Sequence, residues 1–268
     1  MTKEQFIKKH FPRFIVAFLM FLRHWFYIFK GFDHKLAQKG ELMFHKTIRS
    51  SEEMSRKFLM IDMWKESSKS EPTHPFYDFP KISYFLPDAE SYQEFCREMQ
   101  QKSCLEIGSG SIGAIARMPW IKERIIIEPL LNPLRQHQMS TFGRTLFTED
   151  IQCHSQEAEA FIPSYENSIT GFIICDNVLD HCRDPWLVLE NIARYAHEGC
   201  MLLLWSDIWH WKGLNKEHGN IAKDVGAFQQ KIEELNFRIK KVLPSKTKQD
   251  LTTEYGCIAV KLPSNRKI

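Results

Sequence analysis

The sequence predicts an α/β domain: a mostly parallel sheet of seven strands with helices on both faces, preceded by a helical N-terminal extension. Three observations lead there. From Asp88 onward, short apolar runs alternate with longer amphipathic stretches, as strand–helix units require. The run RIIIE (124–128) reads as a buried strand, and GFIICD and GCMLLLW resemble it. A glycine-rich turn (108–113) follows an earlier predicted strand, 103–107.

Taken in order, 88–101 reads as a helix and 103–107 as a strand that ends in the glycine turn. A short helix is expected over 112–118, a strand over 124–128, and a helix over 132–141 with Pro133 in its first turn. A weaker strand is expected over 144–149, and a buried one within 168–176. The helix 184–197 opens with Asp184 as N-cap and Pro185 in the first position. A strand (199–205), a helix (221–235) and two closing strands (237–242 and 255–262) complete the domain, which spans 88–268. In open sheets of this kind, ligands sit beyond the carboxyl ends of the strands.

Composition narrows the function classes. The 268 residues are 43% apolar and 26% charged, enough for one large core and unlike a disordered chain. A formal charge of +3 does not suit a dedicated nucleic-acid binder. The seven cysteines are odd in number and form no C-x-x-C or C-x-x-H pair. They read as small core residues of a protein in a reducing cytoplasm, with neither a disulfide framework nor a metal site.

The charge is unevenly spread. Residues 1–50 hold ten Lys/Arg against three Asp/Glu, and they are also rich in aromatic residues. The run 14–22 is apolar throughout, Arg23 and His24 interrupt it, and 25–29 resumes it. A membrane span needs about 20 predominantly apolar residues, so this run is short. Placed on a helix, Lys9, Arg23, Tyr27, Lys30 and His34 form one narrow polar stripe. Two readings stay open for residues 9–34: a helix packed on the domain or on a partner, and a helix lying in a membrane interface, which would put the protein at the membrane's inner face. A charged helical stretch (50–69) follows. Next comes the proline- and aromatic-rich stretch 70–87, which contains THPFYDFPKISYFLP and reads as an ordered loop that covers a site or as a plain linker. Residues 1–87 thus make up the extension.

The sharpest local signal is Glu106-Ile107-Gly108-Ser109-Gly110-Ser111-Ile112-Gly113, a G-x-G-x-x-G spacing between a strand and a predicted helix. Glycines there permit a tight turn and close backbone approach to a ligand. Glu128 ends the next strand, 20 positions after Gly108, where a carboxylate can accept from two ribose hydroxyls. A dinucleotide fold uses the same geometry. Glu106, however, lies two residues before the first glycine, where it suits a cationic ligand end and would repel a pyrophosphate. Downstream stands the segment NVLDHCRDP (177–185).

These two motifs, EIGSGSIG and NVLDHCRDP, resemble those of the class I S-adenosylmethionine-dependent methyltransferases, in particular their small-molecule (type 11-like) branch. The resemblance covers about residues 88–262 and implies a Rossmann-like fold with S-adenosyl-L-methionine as cofactor and S-adenosyl-L-homocysteine as product. It assigns the methionine part to Glu106, Gly108, Ser109 and Gly110, the ribose to Glu128, and the flank of the adenine to Pro129 and Leu130. Glu157 and Ala158 would read the adenine, and Asp176 and Asn177 would line the cofactor.

Methyl transfer is an in-line displacement, so the protein mainly binds, aligns and desolvates. A hydroxyl acceptor also needs a base, for which His181 is the first candidate, with Asp207 and His210 beyond the fifth strand as alternatives. The expectation is a transferase acting on oxygen of a small or lipid-linked, envelope-type acceptor. Two other readings stay open: a catalytically silent methyltransferase-like scaffold, and an NAD-dependent oxidoreductase, against which Glu106 and NVLDH argue. The D/N-P-P-Y/F/W signature of amino-directed nucleic-acid enzymes is absent, since Asn177-Val178 follows Asp176.

Overall fold

A computed structural model of the chain describes residues 38–39, 42–43, 89–111, 113–209, 225–243, 247–248 and 252–263. Helix α1 (Ala89–Met99) leads into β1 (Ser103–Ile107), β2 (Glu123–Ile127), α2 (Leu131–Phe142), β3 (Gln152–His154) and β4 (Phe172–Asp176). Then follow α3 (Pro185–Tyr195), β5 (Met201–Trp209), α4 (Val225–Glu234), β6 (Phe237–Val242), β7 (Thr247–Lys248) and β8 (Thr252–Lys261). The sheet order is β3-β2-β1-β4-β5-β8-β6, with β7 paired to β8. The first five strands of that path run parallel, and β8 is antiparallel to both of its neighbours. Strand order reverses between β1 and β4, which makes the carboxyl end of β1 the topological switch point, where open sheets of this kind bind ligands.

Alternation along the strands sorts the core. Leu105, Ile107, Ile173, Cys175, Leu202 and Leu204 pack on one face with Val188, Leu189 and Ile192 of α3 and with Phe228 and Ile232 of α4. Cys104, Phe172, Ile174, Leu203 and Trp205 pack on the other, under Phe95, Cys96 and Met99 of α1. Glu106 and Asp176 share this second face by the same period of two. Asp184 caps α3, accepting from Leu187 N at 3.1 Å, with Pro185 in the first turn as expected.

Several elements differ from expectation. The segment 144–149 is no strand; the third strand is Gln152–His154. Leu146 and Phe147 are buried in a cluster with Leu131 and Leu134 of α2 and Ile126 of β2. The side chain of Gln138, rather than a ladder, satisfies Leu146 N and Thr145 Oγ1. Apolar composition alone had suggested extended pairing. Of the helix expected over 112–118, the described residues form only a 3-10 turn, Ile115–Arg117. Pro119 disfavours helical geometry at Met118, which ends the turn at φ −112° and ψ 62°. Strand β5 runs on to Trp209 because β8 pairs with it from Met201↔Val260 through Trp209↔Thr252. The stretches 9–34, 50–69 and 70–87, and with them the membrane-interface and covering-loop readings, lie outside the described residues. Among the described residues, no helix is long and apolar enough to cross a membrane.

Candidate functional site

Gly108 continues the β1–β2 ladder, its N–H donating to Ile127 O at 2.8 Å, and then turns left-handed at φ +68°. Gly110 repeats the left-handed conformation at φ +55°. An L side chain at either position would be strained. Gly108 is also pressed against the segment after β4, since a Cβ there would lie 2.3 Å from Val178 Cγ2. Gly113 differs: its backbone is ordinary, and a Cβ would stand 3.1 Å from Glu106 Oε2. Its role is close packing.

Three side chains hold this turn from beneath. Glu106, 4% exposed, accepts from Ala114 N at 2.7 Å and Ile115 N at 2.9 Å. Burial pushes its carboxyl up to about 7, the two backbone donors and Arg117 pull against that rise, and Asp176 adds to it. A carboxyl poised near neutrality, with a second carboxylate facing it, favours a cation nearby and disfavours a phosphate. Glu128, also 4% exposed, accepts from Gly110 N and Leu130 N, each at 2.8 Å. The predicted ribose carboxylate therefore sits at the end of β2 beside the glycine turn, oriented by it. Gln138 of α2, fully buried, donates to Ser111 O at 2.7 Å. Ser109 Oγ donates locally to Gly110 O at 3.3 Å. Pro129 is half-buried between Glu128 and Leu130.

After β3 the segment 156–160 returns over the end of the sheet. Ala158 is buried against the core. Asn191 of α3 donates from its amide nitrogen to Ala158 O and Glu159 O, both at 3.0 Å. Glu159 Oε1 accepts from Arg183 N and Asp184 N at 2.8 and 3.1 Å. Glu157 Oε1 accepts from Gln38 Nε2 at 2.6 Å, so the extension reaches this rim. Glu157 and Ala158 thus lie beyond β3, next to the strand end that carries Glu128. Asp176 ends β4 half-buried, and Asn177 is left-handed at φ +58°, its N–H donating to Trp205 O at 2.8 Å. Asn tolerates that conformation better than most residues.

His181 closes a 3-10 turn, Leu179–His181, three residues after Val178. Its side chain is 20% exposed, and Nε2 lies 3.7 Å from Oδ2 of the buried Asp180. Asp207 is corrected in its location: it lies within β5, not after it, paired across the ladder with Glu254. His210 lies outside the described residues. Sequence reasoning singled out the glycine turn, Glu106, Glu128, Asp176 and Asn177, and these lie at the carboxyl ends of the three neighbouring strands β1, β2 and β4. It missed the supporting residues Gln138, Val178, Asn191 and Gln38. Asn191 and Gln138 sit on helix faces where a buried polar residue carries no motif, and only their partners give them meaning.

No known family profile matches the chain, and no curated protein does. Among solved structures, the chain is similar to YcgJ of Bacillus subtilis over 66% of its own length and 100% of that chain, at 12% identity and a TM-score of 0.48. The N-terminal domain of EvdMO1, solved in the presence of SAH and D-fucose, is similar over 80% of this chain and 100% of that one, with 17% identity and a TM-score of 0.47. CurJ carbon methyltransferase is similar over 68% of this chain and 57% of its own, with 13% identity and a TM-score of 0.46.

Proposed function

We propose that this chain, whose Rossmann-like sheet is the one its resemblance to the class I methyltransferases implied, binds S-adenosylmethionine and transfers its methyl group to a small or lipid-linked acceptor. The observation that carries the reading is the pairing of Glu128 with the left-handed Gly110 at the switch point of the sheet. A ribose carboxylate and a tight glycine turn stand in hydrogen-bond contact, with the buried Glu106 and Asp176 on the neighbouring strands. A nicotinamide dinucleotide would bring its pyrophosphate to that turn, against two carboxyl groups. The cationic amino acid end of S-adenosylmethionine suits them.

The residue roles in this reading are those that the resemblance implies. Glu106, Gly108, Ser109 and Gly110 would hold the methionine part, Glu128 the ribose, Pro129 and Leu130 one flank of the adenine, and Glu157 with Ala158 its edge. Asp176 and Asn177 would line the side toward the acceptor. The cofactor supplies an activated methyl group; the chain's own work is to align and desolvate. His181, beside the buried Asp180, is the group on this edge suited to take a proton from a hydroxyl acceptor, with Asp207 on β5 as the alternative. A lipid-linked acceptor met at the inner face of a membrane is supported by sequence alone, through the basic, apolar stretch 9–34; oxygen as the accepting atom rests on His181 as the candidate base.

Calorimetric titration of the full chain with S-adenosylhomocysteine, with NAD as control, tests the reading. Stoichiometric micromolar binding that is lost in Glu128→Ala is the expected result. A folded protein that ignores millimolar S-adenosylhomocysteine would sink the reading and favour the scaffold alternative.

A further inference from the structure

The segment that carries His181 is held at both ends. At its start, Val178 is pressed against Gly108, where a Cβ on the glycine would lie 2.3 Å from Val178 Cγ2. At its end, Arg183 N and Asp184 N donate to one carboxylate oxygen, Glu159 Oε1, at 2.8 and 3.1 Å. Between these anchors the segment is bonded to itself. His181 N donates to Val178 O at 2.9 Å, Cys182 N to Leu179 O at 3.2 Å, and Cys182 Sγ to Val178 O at 3.3 Å. Burial, and after it the Glu159 carboxylate, holds the Cys182 thiol well above the ordinary thiol range, so it stays a protonated donor.

Glu159 reaches this segment from a fixed base. Asn191 of α3 donates to Ala158 O and Glu159 O, both at 3.0 Å, and Ala158 is buried. The two amides that Glu159 accepts from stand just ahead of α3, where no helix ladder satisfies them. Asp184 caps the helix through Leu187 N at 3.1 Å. Hydrogen bonds to an ionised acceptor are roughly twice as strong as neutral ones. The two anchors also differ in kind. The Gly108–Val178 contact is steric and resists only closer approach, whereas the bonds to Glu159 resist separation.

Each anchor belongs to one half of the proposed cofactor footprint. Gly108 lies in the turn assigned to the methionine part, and 156–160 is the loop assigned to the adenine. Resting on the cofactor reading above, we infer that Glu159 is a positioning residue for the candidate base: its carboxylate ties the adenine-side loop to the segment bearing His181, so that seating the cofactor also fixes the imidazole. A ligand that orders the loop then suppresses local opening of the His181 turn.

The test is amide-resolved hydrogen exchange of the full chain, with and without saturating S-adenosylhomocysteine. It is read at the His181 and Cys182 amides, whose acceptors are Val178 O and Leu179 O, so loss of the Glu159 carboxylate does not itself unpair them. In wild type the ligand slows both amides about tenfold, an ordinary coupling between two sites. In Glu159→Ala the ligand still binds and still slows 156–160, but the slowing at His181 and Cys182 is lost. Glu159→Asp, one methylene shorter, behaves as Glu159→Ala. Glu159→Gln keeps an oxygen that accepts from both amides and keeps the slowing. Slowing that survives in Glu159→Ala and Glu159→Asp would overturn the inference and give the coupling to Gly108 and Val178. A purely structural role would speed exchange by the same factor with and without ligand, and that unchanged ratio would overturn it too. So would a saturated wild type in which neither amide slows. Failure of the wild type to bind S-adenosylhomocysteine at all would instead bring down the cofactor reading, and this inference with it.

Discussion

Gly108 and Val178 leave each other no room: a Cβ on the glycine would lie 2.3 Å from one Val178 methyl and 2.8 Å from the other. The first turn of the candidate site and the segment after β4 are thereby locked together, and the glycine is required twice, for its φ of +68° and for its lack of a side chain. Gly108→Ala is expected to cost about 3 kcal/mol, combining left-handed strain with overpacking. Adding Val178→Ala should return the overpacking part and leave the strain. Urea unfolding of the two single variants and the double variant checks this, since a strictly additive cycle would mean that the two residues are uncoupled.

Glu106 makes stability depend on pH. Burial, with Asp176 adding to it, raises its carboxyl from an ordinary 4.5 to about 7 in the folded chain. The folded state therefore holds this proton more tightly than the unfolded state. The resulting stabilisation is fully present below pH 4.5 and is lost as pH rises through 7. Denaturation midpoints should fall from pH 5 to pH 8, and in Glu106→Gln that share of the slope should vanish. A variant that keeps the full slope would assign it to other groups.

The same proton reports on the ligand. A cationic group seated beside Glu106 favours its ionised form. Binding of S-adenosylhomocysteine, which keeps the amino group, should release protons near pH 6.5 and tighten toward pH 8. Calorimetry in two buffers of different ionisation enthalpy measures the release, and Glu106→Gln should abolish it.

Asn191 has a narrow task, with its amide nitrogen donating to Ala158 O and Glu159 O. Asn191→Leu strands two carbonyl groups and should cost about 1–3 kcal/mol. Asn191→Asp should cost more, because it sets a carboxylate against the same oxygens. Hydrogen exchange over 156–160 should accelerate in both variants; unchanged exchange would show the segment to be held from elsewhere.

Gln138 joins the glycine turn to the loop after α2, donating to Ser111 O while its oxygen accepts from Thr145 and Leu146. Gln138→Met preserves volume and removes all three bonds. Thermal melting should fall by the equivalent of about 2 kcal/mol, with weaker S-adenosylhomocysteine binding as the turn loosens. Binding that holds while stability falls would separate the loop from the turn.

The sequence by itself determined most of the sheet and the place of the glycine turn. Short apolar runs, buried on both faces, made β1, β2 and β4 legible to within a residue or two, and Asp184-Pro185 marked the start of α3. Those signals are local, since they depend on which face a side chain must bury and on which backbone angles a residue tolerates. Tertiary structure alone decided the rest. Leu146 and Phe147 look like strand residues, yet Gln138 satisfies that backbone and the apolar pair fills a corner of the core. Glu106 looks like a ligand for a cation, yet it also closes the 3-10 turn, a role that needs Ala114 and Ile115 folded back upon it. Gln38 carries no signal in the sequence, because a lone glutamine 119 positions from its acceptor gains meaning only when the fold brings the two within 2.6 Å.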